Sequence, residues 1–170
     1  MTAFDYYDKY LALGILGAIL TVYGNLFQNS PDFYYIIGSL ALMITAIYYE
    51  LLYFIALELI IAAGHTSILI GFGEYTQIAL PLFLCFQLFI FYIMIGKESS
   101  IFLMIGLLGI VLISLGFSYH NQWIFFIGSL CIAGYSYYNG LKKRYPSYLW
   151  AILNAIFAFS ALGKIILLGA

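Results

Sequence analysis

From Tyr48 to Gly73 the chain reads YYELLYFIALELIIAAGHTSILIGFG. This run is long and apolar enough to cross a bilayer, yet it carries Glu50, Glu58 and His65. Glu58 and His65 stand seven residues apart, two turns of helix, and so share one face. Glu50 lies eight residues before Glu58, close to the same stripe. A carboxylate facing lipid in mid-span costs roughly 2.5–3.5 kcal/mol on insertion scales. The stripe is therefore expected to face protein or a water-filled cavity.

The rest of the chain agrees with a membrane setting. Only 8% of its residues are charged and 65% are hydrophobic, against about 25% charged in a soluble domain. Such a chain cannot cover a water-facing surface, which points to an all-α polytopic membrane protein. No basic run is long enough to hold nucleic acid. Cys85 and Cys131 both sit in apolar runs, as buried thiols rather than a disulfide framework or a metal site. The first residues, MTAFDYYDKY, lack a basic leader and no A-x-A-like cleavage site follows, so the first span is expected to be retained.

Reading for polar breaks gives seven spans. The first covers about 10–27 and ends at QNSPD; the second covers about 33–49. One helix over 33–73 would be about 60 Å long, twice the hydrocarbon thickness, so a break is expected near 48–52, marked by Glu50. The third span ends near 71–74. The fourth, about 75–96, contains Pro81, an expected kink, and is followed by KESS. The fifth, sixth and seventh cover about 101–118, 123–138 and 147–169, separated by YHNQ and NGLKKRYP. Most of the tyrosines fall at span ends, where amphipathic rings settle at the membrane interface. With seven spans, Lys9, Lys97, Lys142, Lys143 and Arg144 all lie on one side, and the opposite loops hold no Lys or Arg. The positive-inside rule then puts the N-terminus in the cytoplasm and the C-terminus outside, in a cell (inner) membrane.

The first three spans resemble the last three. GILGAILTVYGNLF over GLLGIVLISLGFSY aligns Gly14, Gly17 and Gly24 with Gly106, Gly109 and Gly116. FYYIIGSL lies over WIFFIGSL, and YFIALELIIAA over LWAILNAIFAF sets Glu58 opposite Asn154. The expected architecture is one integral membrane domain over 1–170: a three-helix repeat over about 10–73, a linking helix over about 75–96, and a second repeat over about 101–169. The single linking span makes the two repeats parallel, a known transporter plan with its site near the midplane between them.

This 3+1+3 plan, with an asparagine in the last span (WAILNAI), resembles the SWEET sugar carriers, the PQ-loop proteins and the Pnu-type vitamin transporters. The resemblance covers the topology rather than particular residues. It implies a small transporter and transfers no substrate.

Glu58 is the sharpest candidate site residue, because a carboxyl in low dielectric favours its neutral form and can take up and release a proton. Asn154 is its expected partner in the second repeat. His65 suits a proton relay. Lys164, near the end of the last span, either snorkels to the interface or pairs with Glu58 or His65. Gln87, in the fourth span, adds a polar group there. No phosphate loop, G-x-S-x-G, H-E-x-x-H or Cys-x-x-Cys is present, which weighs against an enzyme without deciding the question, and the leading reading expects no cofactor and no metal. The leading expectation is a secondary transporter moving a small polar solute, with proton coupling through Glu58. Its partners are the lipid bilayer, that solute and, as one option, a second copy of the chain. The alternatives are an assembly subunit whose polar residues only fix helix packing, and a haem or redox protein using His65 and His120.

Overall fold

A computed structural model describes residues 3–26, 31–95 and 101–168. Gln28–Ser30 of the first expected turn and the whole KESS break, with Lys97, lie outside the described residues. The described chain is all-helical: α1 (Ala3–Leu26), α2 (Pro31–Tyr48), α3 (Leu52–Leu69), α4 (Glu74–Ile95), α5 (Ile101–Ser118), α6 (Gln122–Leu141) and α7 (Tyr148–Leu168). A single 3-10 turn, Tyr145–Ser147, leads into α7. Helices α1, α2, α3, α5 and α7 are long and apolar enough to cross a membrane, which is compatible with an integral membrane protein. The apolar stretch of α4 is shorter, Ile78–Met94, and α4 continues through Pro81.

Helix α6 is not among these five, and it buries three polar residues, Ser129, Ser136 and Asn139. Each turns back on its own helix. Ser129 Oγ donates to the Phe125 carbonyl at 2.8 Å, Ser136 Oγ to Ile132 at 2.7 Å and Asn139 Nδ2 to Tyr135 at 3.2 Å. These bonds satisfy the polar groups without a partner helix.

The chain divides into two compact units, residues 1–71 and 72–170. In the first, α2 packs against both α1 and α3. Its contact with α1 is close because glycines face each other: a Cβ on Gly17 would lie 2.7 Å from the Gly38 carbonyl and 3.1 Å from Leu42. Where α1 begins and α2 ends, Tyr10 stacks on Tyr48 at 3.9 Å and 12°, and the Thr45 hydroxyl donates to the Tyr10 carbonyl at 2.9 Å. In the second unit α6 packs against both α5 and α7, and α4 lies against α5. A Cβ on Gly109 would lie 2.7 Å from Ile132, and one on Gly128 would lie 2.7 Å from the backbone nitrogen of Ile113. Phe102 stacks on Tyr138 at 4.0 Å and 11°. Gly128→Ala should therefore lower stability by about 1–3 kcal/mol, since the new methyl meets backbone that cannot step aside. Thermal unfolding in detergent measures it, and an unchanged midpoint would mean that α5 and α6 are less tightly apposed.

The expected break at Glu50 is present. Glu50 has φ 53°, in the left-handed region. Its amide donates to the Ile47 carbonyl at 3.1 Å and the Leu51 amide to Ala46 at 2.9 Å, the pair of bonds that closes a Schellman cap. Glu50 is exposed in this turn, so it does not join the Glu58 stripe. His120 (φ 51°) and Lys143 (φ 68°) close α5 and α6 in the same way. A β-branched residue is strained at such a φ. Glu50→Val should unfold at a lower temperature than Glu50→Gly, by about 1–2 kcal/mol of stability; equal midpoints would contradict the left-handed turn.

Candidate functional site

Polar residues of the first unit mark two seven-residue stripes, one on α2 and one on α3. On α2, Asp32, Ser39 and Ala46 follow one another at seven-residue spacing; on α3, Glu58 and His65 do the same. Pro31 and Asp32 fit the start of α2 for separate reasons. Proline suits the first helical position, and an acid in the first turn is favoured by the helix dipole. The α2–α3 hairpin then decides what faces what. Tyr35 and His65 each lie fifteen residues from Glu50, and their rings stack at 4.3 Å with 8° between planes.

His65 Nδ1 lies 2.7 Å from Asp32 Oδ1. An ionised Asp32 makes Nδ1 the protonated nitrogen, donating to the carboxylate, and the separation is that of a charge-assisted bond. The His65 side chain is 5% exposed and that of Asp32 is 23% exposed, so the pair is closed toward the core and partly open at Asp32. Deeper along α2, Ser39 is buried and its hydroxyl has no hydrogen-bond partner among the described residues. Glu58 is 2% exposed in the middle of α3. From α1, this unit also buries Thr21 and Asn25, polar but not titratable.

The sequence-predicted residues are divided between the two units. Glu58 and His65 share a buried face of one helix. Asn154 is buried on α7 in the second unit, where its Nδ2 donates to the Trp150 carbonyl at 2.9 Å. Lys164 is half-buried ten residues further along α7, and Gln87 is exposed on α4. His65 has Asp32 as its charged partner, a residue that sequence reasoning passed over as part of the QNSPD turn. The signal was available: Asp32 stands one turn before Tyr35, the residue opposite His65 once Glu50 is taken as the hairpin's centre. His120 is exposed in the turn after α5. Comparison with protein-family models, with curated proteins and with solved structures finds no match to this chain.

Proposed function

We propose that the chain is an integral membrane protein of seven spanning helices, its N-terminus cytoplasmic, acting as a small secondary transporter of a polar solute with a proton carried on Glu58. The observation that carries this reading is the buried face of α3, where Glu58 and the Asp32-paired His65 lie within an apolar helical layer. Ionisable groups in such a place mark ion and proton pathways more often than they serve as packing.

The two-repeat plan is part of the proposal. Supporting it, Gly17 abuts Leu42 and Gly109 abuts Ile132, which are equivalent positions in the aligned repeats. The Tyr10–Tyr48 and Phe102–Tyr138 stacks also occupy equivalent positions with nearly the same geometry. Phe54 and Trp150, Leu57 and Leu153, and Glu58 and Asn154 are buried in matching pairs.

The test is reconstitution into vesicles loaded with a pH-sensitive dye, followed by addition of a panel of sugars, amino acids and other small polar solutes. The reading expects at least one solute to carry protons inward with it. A folded, correctly inserted protein that moves neither solute nor protons would overturn it.

A further inference from the structure

We infer that Asp32, His65 and Ser39 form a proton path that connects water at the Asp32 end of the first unit to Glu58. The inference rests on the transporter reading only in taking Glu58 as the proton carrier. It assigns Asp32 and Ser39 roles as proton-handling groups.

The ends of the path are fixed by exposure. Asp32 is partly open and hydrogen-bonded to His65, whereas Glu58 is closed off in mid-helix. Seven residues of helix separate His65 from Glu58, about 10 Å along the axis, too far for direct transfer. Ser39 bridges that interval. It lies eleven residues from Glu50, and the matching level on α3 falls between Glu58 and His65. In depth it stands about 6 Å from the His65 level and about 4.5 Å from that of Glu58. Along the axis each step is shorter than the direct one, and a water bridging the side chains at each step is part of the proposal. Ser39 shares the Asp32 stripe, is 1% exposed, and its hydroxyl has no partner among the described residues. A buried hydroxyl in that condition costs about 1–3 kcal/mol unless something uses it.

The transfer balances without a co-reactant. From the resting ring, with its proton on Nδ1, the Glu58 carboxyl gives its proton to the Ser39 oxygen, whose own hydrogen passes to the bare His65 Nε2. The ring releases its Nδ1 proton to the Asp32 carboxylate, which passes it to water. One N–H or O–H bond breaks for each that forms, and the ring ends in its other tautomer. Reversing the sequence carries a proton from water back to Glu58 and restores the ring. Among the described residues of α2 and α3 the buried titratable groups are Tyr35, Tyr53, Glu58 and His65, with Asp32 part-buried; the buried polar residues of α1, Thr21 and Asn25, do not titrate.

Infrared spectroscopy of the protein in lipid vesicles tests this with heavy water as the only probe. The carboxylic acid band removed by Glu58→Gln identifies Glu58, and its shift on transfer to heavy water gives the exchange rate. Positioned proton-transfer groups contribute roughly a hundredfold or more. Asp32→Asn, His65→Gln and Ser39→Ala should each retain the band and slow its exchange by about that factor. His120→Gln, in an exposed turn, should exchange as the wild type does. Ser39→Ala removes one oxygen atom, so it keeps the test valid if the other two variants fail to fold. Unchanged exchange in Ser39→Ala, or a wild type with no band that Glu58→Gln removes, would overturn the path. Solute uptake plays no part in the measurement, so a failure of the transporter reading is seen separately.

Discussion

Replacing Glu58 by glutamine is expected to abolish uphill solute accumulation in vesicles carrying an imposed pH gradient, a loss of roughly a hundredfold or more. Glutamine preserves the volume and hydrogen-bonding capacity of a neutral carboxyl but cannot release a proton. The helix packing at this buried position should therefore survive, and the thermal unfolding midpoint should stay close to that of the wild type. Energetically downhill exchange of solute across the same vesicles should persist, because it needs no net proton movement. Glu58→Asp keeps the titrating group on a shorter arm and should restore part of the accumulation. A Glu58→Gln protein that accumulates solute as well as the wild type would remove proton coupling from the account. The residue would then be an interhelical polar contact, worth about 0.6 kcal/mol on average in a membrane bundle.

The second large effect is on stability and comes from the α2–α3 pair. His65→Ala removes a buried ring that stacks on Tyr35 and leaves Asp32 without this partner, and should cost about 3 kcal/mol or more. Asp32→Ala should cost less, about 1–3 kcal/mol, because its carboxylate is already partly in water and its loss leaves the ring stack in place. The double variant should fall short of the sum by about 1–2 kcal/mol, the coupling of two groups in direct contact. Denaturant unfolding of the four proteins in one detergent gives the cycle. Strict additivity would mean that the 2.7 Å contact contributes nothing to holding the hairpin.

Much of the architecture was legible from polar punctuation alone. The turn at Glu50 follows from length, since no bilayer accommodates a helix from 33 to 73. The loop at Lys142–Arg144 follows from three consecutive cations. The sharing of one face by Glu58 and His65 follows from their spacing. Two things were harder to read. The polar character of α6 hides within the helix, since Ser129, Ser136 and Asn139 spend their hydrogen bonds on carbonyls one turn back. A count of apolar residues cannot distinguish such groups from ones that need a partner. Asp32 was obscured for a different reason. In sequence it belongs to a turn, and only the folding of α2 back along α3 makes it a neighbour of a residue 33 positions away. Glu50 shows the reverse. Its spacing from Glu58 suggested a shared stripe, but the left-handed cap at residue 50 breaks the helical phase between them.

A proton-carrying role for Glu58 requires α3 to cross a bilayer within an alternating series of spans. Side-specific labelling tests that most directly. In a background with Cys85 and Cys131 replaced by alanine, single cysteines at the exposed turn positions Glu50, Gly71, His120 and Lys143 are treated with a membrane-impermeant maleimide from either face. The account predicts that Glu50→Cys and Lys143→Cys label only from the cytoplasmic side, and Gly71→Cys and His120→Cys only from the outside. Labelling of Glu50→Cys and Gly71→Cys from the same side would contradict it, because α3 would then not span the membrane and Glu58 would have no apolar depth to explain.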